Sequence, residues 1–491
     1  MAISDRARRG LLLGGAATLA GASILLFAPG YLSGRGFPLD DAWIHAVYAR
    51  SLAHAGMLAY NPGVPATGET APLWALFGAA ASAVTSSPLA MATAVKLIGF
   101  SLHVLTALFA FEVMEGSVEW VRLGSAALVL FQPDLIAASV SGMEVPLATA
   151  CVLAMVWAVR RGSILGLAVI AAAAPLARPE LACVGPLLIG GSALVEGRGR
   201  TAKLALAWIL GTALSSTATA LRNLHVSGRP LPATFYAKVH LGAMPLLAAE
   251  WRGFSDLLAP MPPIESVVAI ALFAIVAIVV LANRRRQVEA GQAAVLLLTG
   301  VSYAAISFAL VAPIDPEAFY HQRYVLPALP LLVLALVPLL SAMAAASPRL
   351  PPWTRRVPAL ALALLFCDVL AGVPRRLHHL DNDAHNIDDV QVREGRSLAA
   401  AAPTETLWAV DSGAVRYFGN ARVVDMMGLN TPEAVGPGGD DWLAAHPPRY
   451  LELVRDWSQV MSPDPLPAHA FSPSTRYTVT SFPRMATHVL L

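Results

Sequence analysis

The chain has 491 residues, 56% of them hydrophobic and 13% charged, with a formal net charge of +2. A soluble domain carries roughly 25% charged residues. The composition therefore excludes an ordinary soluble enzyme and fits a polytopic α-helical membrane protein. The small net charge gives no ground for a nucleic-acid partner. The three cysteines, Cys151, Cys183 and Cys367, lie in apolar runs without disulfide or metal spacing and read as packing residues.

The N-terminus, MAISDRARRG, precedes an apolar stretch that ends at Pro29-Gly30. That stretch is long enough to span and has no small-residue cleavage site, so it reads as a first transmembrane helix rather than a signal peptide. Arg6, Arg8 and Arg9 place its start in the cytoplasm. The next segment, residues 37–74, is then external and opens with adjacent acids, Asp40 and Asp41. Asp fits the N-cap and first turn of the helix starting near Ala42, which explains one acid better than two. A carboxylate oriented in this way also serves as a general base. The helix itself is amphipathic and rich in aromatics, as expected at a membrane interface.

Further apolar runs lie near 88–112, 122–139, 144–160, 162–177, 181–195, 202–220, 265–283, 291–312, 324–346 and 357–373. Basic clusters at Arg160-Arg161, Arg198 to Lys203, Arg284 to Arg286 and Arg355-Arg356 mark inner ends. Residues 71–86 are apolar but short, and read as a juxtamembrane helix. The count is then eleven spans, or thirteen if 122–160 holds a further break. A transmembrane unit over 1–373 precedes a polar tail, 374–491, on the external side. Strand-like pieces at 407–411, 421–425 and 476–482, with the helix-like SGAVRYF between the first two, predict a small α/β C-terminal extracytoplasmic domain.

Polar groups gather at the outer ends of spans: Glu144, Arg178, Glu180, Lys238, His321, Arg323 and Tyr324. Snorkelling or pairing explains any one of them; their convergence on one side favours function. Cations facing an acidic pair suit a lipid-linked phosphate donor, because guanidinium grips phosphate bidentately. The run 375–389 contains three His and four Asp. His378, Asp381 and His385 could be drawn as a metal site there, but without firm ligand spacing the run reads as a solvated helix face. No phosphate-binding glycine loop, zinc-protease helix or serine elbow occurs.

The motifs LDDAWIHAVYAR (39–50), YNPG (60–63), GETAPLW (68–74), SGMEVPL (141–147), ARPE (177–180), PATFYAKV (232–239), QRYVLPALPLL (322–332), DSGAVRYF (411–418) and VVDMMGLN (423–430) run along nearly the whole chain. Their order resembles the GT-C glycosyltransferases, and within them the cell-envelope arabinofuranosyltransferases of terminal β-(1→2) type. The chain differs from that pattern at Thr70-Ala71-Pro72, where TSP is typical, at Pro232-Ala233-Thr234, where PNT is typical, and in its shorter tail. The resemblance implies transfer of a sugar, arabinofuranose first and a hexose second, from a polyprenyl-phosphate donor to an external glycan acceptor, with retention or inversion. It implies an acid of the Asp40-Asp41 pair as base; proximity to the helix start favours Asp41 of the two. Arg323, Lys238, Arg178, Glu180, Tyr324, His321, Glu144 and Trp74 then hold donor phosphate or substrate. No cofactor is required, although two adjacent acids could take a divalent ion. The acceptor enters between the 30–70 loop and the tail. The rival readings are a transporter or flippase of lipid-linked sugars, and a non-catalytic glycan-binding scaffold.

Overall fold

The computed structural model describes residues 5–196, 199–238, 287–311, 323–336, 357–435, 438–454, 475–477 and 488–490. Three of the described helices are long and apolar enough to cross a bilayer. They lie within α1 (Asp5–Phe27), α4 (Pro88–Val113) and α10 (Thr201–Ser227). At 1.5 Å per residue the latter two are about 40 Å long, against about 30 Å of hydrocarbon. Leu11, Leu19, Leu25 and Leu26 of α1 are exposed, as are Leu206, Leu210 and Leu214 of α10. Such bare leucines suit a surface solvated by lipid rather than water.

The run 122–139, expected as one span, is two helices. α5 (Glu119–Phe131) and α6 (Pro133–Ser139) meet at 58°. Pro133 has no N–H to continue the first ladder, and the Gln132 side chain caps the second helix by accepting from Leu135 N at 2.8 Å. α7 (Val145–Arg161) is the central helix, buried along nearly its whole length, and packs on α4. α8 (Ile164–Ala177) lies against α10. α9 (Val184–Glu196) packs on a later helix, Gln287–Val311. The run 71–86 is the helix α3 (Pro72–Val84), packed on α2 (Asp40–Ala55). Its 13 residues span about 20 Å, short of a crossing. Residues 265–283 and 337–346, which enter the count of eleven spans, lie outside the described residues.

After α10 comes the short helix α11 (Ala233–Lys238), and then α12 (Gln287–Val311) and α13 (Val357–Ile387). α13 passes straight through Pro374, so the boundary expected at 373/374 falls inside one helix. Hydropathy marks where side chains stop being apolar, not where the backbone stops being helical.

Beyond it, β3 (Thr406–Ala409), α14 (Ser412–Phe418) and β4 (Arg422–Asp425) form a parallel β-α-β unit. The five-stranded sheet has the order β4-β3-β5-β7-β6, with β5 (Tyr450–Val454) parallel to β3 and with β6 (Thr475–Tyr477) and β7 (His488–Leu490) antiparallel. A hairpin after α2, β1 (Ala59–Asn61) with β2 (Val64–Pro65), reaches the sheet edge. There the Asn61 amide mimics a strand: it donates to Val423 O at 2.8 Å and accepts from Val423 N at 3.0 Å.

Candidate active site

The adjacent aspartates have different partners. Asp40 turns toward α14, where Gly413 N donates to Oδ2 at 2.5 Å and Ala414 N to Oδ1 at 2.7 Å. Burial, with Asp411 adding its charge, pushes this carboxyl up to about 8, against the pull of the two N–H donors. Asp40 is thus a docking group for the C-terminal sheet unit. Asp41 turns the other way and forms an ion pair with the Arg323 guanidinium. The Asp41 side chain is 33% exposed, while that of Arg323 is 10% exposed, so the acid faces the open side of the pair.

Behind this pair lies a charged network drawn from five separate segments. Arg178 Nε donates to Glu180 at 2.7 Å, and its NH1 lies 3.3 Å from Glu144 and donates to the Arg323 carbonyl at 2.8 Å. With its fork committed inside the protein, Arg178 fixes the backbone that presents Arg323. The Tyr324 hydroxyl accepts from Arg323 NH2 at 3.2 Å, and both guanidiniums lie about 5 Å from its ring centre, at 4.9 and 5.1 Å. Glu144 also meets His45 Nε2 at 3.2 Å, and His45 Nδ1 meets Glu69 at 2.9 Å. Glu69 in turn accepts from Ala71 N at 2.7 Å. Burial alone would depress His45, but Glu69 and Glu144 outweigh it and raise the imidazole to about 10. It is an imidazolium at neutral pH, clamped between two carboxylates.

Of the residues singled out from sequence, Asp41, Arg323, Tyr324, Arg178, Glu180 and Glu144 form this one constellation. Trp74 is buried beside it and donates from Nε1 to Gly142 O at 2.8 Å, which steadies the turn before Glu144. Lys238 ends α11 and its side chain lies outside the described residues, as does His321 altogether. In the 375–389 run, His385 lies 3.9 Å from Asp381, an i,i+4 pair on α13. Among the described residues no group of three or more His, Cys, Asp or Glu is arranged to hold a metal ion.

His45 and Glu69 were not singled out from sequence, although each sits in a quoted motif. His45 follows Asp41 by four residues on one helix, which puts both on one face, and that spacing was the available signal. A third buried acid, Asp425, accepts from Met427 N at 2.9 Å and from Asn430 N at 3.0 Å. Burial lifts it to about 6, with the Asn430 hydrogen bonds holding it down. The Tyr48 hydroxyl, from α2, donates to Asn430 at 2.8 Å and ties this turn to the site.

Residues 385–487 match a family described as a domain of unknown function, DUF8728. Sequence comparison with curated proteins finds no match. Among solved structures, ArnT from Cupriavidus metallidurans bound to undecaprenyl phosphate is similar at a TM-score of 0.60 and 14% identity, covering 97% of this chain and 98% of that one. The oligosaccharyltransferase of Archaeoglobus fulgidus in the apo form is similar at 0.56 and 10% identity, covering 91% and 69%. The same organism's AglB in complex with an inhibitory peptide and a dolichol-phosphate is similar at 0.52 and 11% identity, covering 92% and 70%. The chain thus shares the fold of these structures, and three of its described helices are long and apolar enough to cross a membrane.

Proposed function

We propose that this chain is a membrane glycosyltransferase that takes a sugar from a polyprenyl-phosphate donor and delivers it to a glycan acceptor at the external face. The observation that carries the reading is the half-open Asp41–Arg323 pair: an acid and a phosphate-binding cation meet at the ends of helices. They do so in a fold shared with structures that hold undecaprenyl phosphate and dolichol-phosphate. The same likeness favours transfer over carriage of lipid-linked sugars. The arginines at the first helix put the N-terminus in the cytosol, and α2 with the C-terminal α/β domain outside.

The steps follow from the geometry. Donor phosphate approaches Arg323 and competes with Asp41 for the guanidinium. Asp41 is released as a carboxylate beside the reacting centre. The acceptor hydroxyl attacks the anomeric carbon and gives its proton to Asp41. The anomeric C–O bond breaks, its electron pair leaves on the phosphate, and Arg323 stabilises the added charge. Arg178 and Tyr324 hold Arg323 in place. Lys238 and His321 are assigned to the donor side from sequence. Arabinofuranose is the proposed sugar on the strength of the motif resemblance, and the chemistry needs no metal.

Asp41→Asn keeps the shape of the acid and removes its charge. It is expected to lower transfer from a polyprenyl-phosphate sugar in proteoliposomes about 10²–10⁴-fold, in a chain that still melts cooperatively in detergent, if at a lower temperature. A variant that is folded and fully active ends the assignment of Asp41 as base.

A further inference from the structure

The structure contains a second polar cleft that the transfer chemistry leaves unused. It offers about 280 Å³ of water-accessible space and is walled by Thr67, Arg229, Tyr236, Glu433 and Trp442, among others. Three segments meet there: the strip after the β1–β2 hairpin, the link from α10 to α11, and the turn that leads into α15 (Gly439–Ala445).

We propose that this cleft is a saccharide subsite that holds the acceptor glycan one or more units away from the reacting hydroxyl, a reading that rests on the proposed transferase function. A sugar ring presents an apolar C–H face inside a rim of hydroxyls. Flat aromatic side chains match the face, and planar polar side chains match the rim. The cleft supplies both kinds, from separate segments of the chain.

Its aromatic groups are fixed in advance. Trp442 stacks on His446 with ring centres 4.1 Å apart and planes 19° apart. His446 is itself held, donating from Nδ1 to Trp442 O at 2.7 Å and accepting at its carbonyl from Trp408 Nε1 at 3.0 Å. On the link from α10 to α11, Leu231 N donates to the Tyr236 hydroxyl at 3.4 Å, and the Arg229 guanidinium lies 5.2 Å from the Tyr236 ring centre. Little side-chain freedom remains to be lost when a ligand stacks. Arg229 and Glu433 supply opposite charges, so the lining suits a neutral polyol better than a phosphate.

The cleft is joined to the reacting centre by one short strip of chain. Thr67 forms its wall and accepts at its carbonyl from Ala233 N at 3.0 Å, while Glu69, two residues on, holds His45. Gly68 between them lies so close to Leu429 O and the Asn430 side chain that a Cβ would collide with both. The cleft wall at Thr67 is thus two residues of chain from the Glu69–His45 contact.

The test uses the full chain in detergent and needs no turnover. The probes are linear oligosaccharides of arabinofuranose and, separately, of mannose, followed by saturation-transfer NMR. The unmodified chain and Asp41→Asn are expected to bind at least one series. Trp442→Ala, and on the α10–α11 link the exposed Arg229→Gln, should each weaken binding about tenfold or more. Binding unchanged in both wall variants overturns the proposal. So does no binding of any probe to the unmodified chain, or displacement of the saccharide by undecaprenyl phosphate, which would give the cleft to the donor. Saccharide bound by a chain that never releases sugar from a labelled polyprenyl donor sinks the transferase reading and leaves the subsite standing.

Discussion

Asp40 and Asp41 are neighbours of the same type, yet their surroundings give them separate work. Two backbone donors commit the partly buried Asp40 to the C-terminal unit. Asp41 is partly exposed and pairs with Arg323. The doublet was conspicuous in the sequence, but the division of labour was not, because it depends on Gly413 and Arg323, far away along the chain. His45 shows the same limit: an imidazole on a helix face says nothing until Glu69 and Glu144 arrive on either side. Its raised value fixes the sign of a pH effect. The stabilisation it brings is complete below its ordinary value of 6.5 and is lost as the pH rises through about 10. His45→Gln removes the cation between the two acids and leaves Glu144 with Arg178 alone, which costs about 3–5 kcal/mol for a broken buried pair. Melting curves in detergent should show the unmodified chain losing its advantage over His45→Gln between those two pH values. A difference that stays constant over the window means that the imidazole is not charged there.

The contact between α2 and α14 couples the two halves of the molecule. Besides the Asp40 carboxylate, Trp43 meets Tyr417 and Phe418, each with ring centres 4.8 Å away. Arg50 donates to Tyr417 O at 2.8 Å, and the Tyr60 hydroxyl to Ser412 O at 2.6 Å. The helix-like character of SGAVRYF and its flanking strands could be read from local pattern. Its docking onto α2 could not, since a seven-residue helix carries no periodic signal for its partner. The bend at Pro133 was legible in principle as a Gln-Pro step, yet the apolar run across it masked the break. At Pro374 the opposite holds: the residue that should stop a helix sits inside one. The α2–α14 interface makes a sharp prediction. A Cβ at Gly413 would strike the Asp40 carbonyl and carboxylate. Gly413→Ala should cost at least about 1–3 kcal/mol through overpacking and lower transfer by loosening α2. Gly190→Ala, where nothing lies within 4 Å, is the control expected to be neutral or stabilising. Equal melting temperatures for the two variants would show that the contact does not matter.

Over the whole molecule, the residues of the candidate site come together at the ends of helices. Asp41 follows α1, Glu144 precedes α7, Arg178 follows α8, and Arg323 precedes another apolar helix, Leu326–Leu336. Charges are expensive inside hydrocarbon and cheap at its edge, and the proposed function would draw its polar groups to that edge. This is why composition and run lengths carried the fold class, and why side-chain pairing across segments was beyond them. The arrangement predicts linkage between ligand and stability. A lipid that binds the folded chain alone stabilises it by about 2.7 kcal/mol at a hundred times its Kd. If Arg323 receives the phosphate, undecaprenyl phosphate should raise the melting temperature of the unmodified chain, and the corresponding polyprenol without phosphate should not. Arg323→Ala should abolish the rise even where it remains folded, because Asp41 then faces the phosphate with no cation between them. An equal rise in Arg323→Ala would move the phosphate away from this arginine, and with it the route by which Asp41 is freed to act.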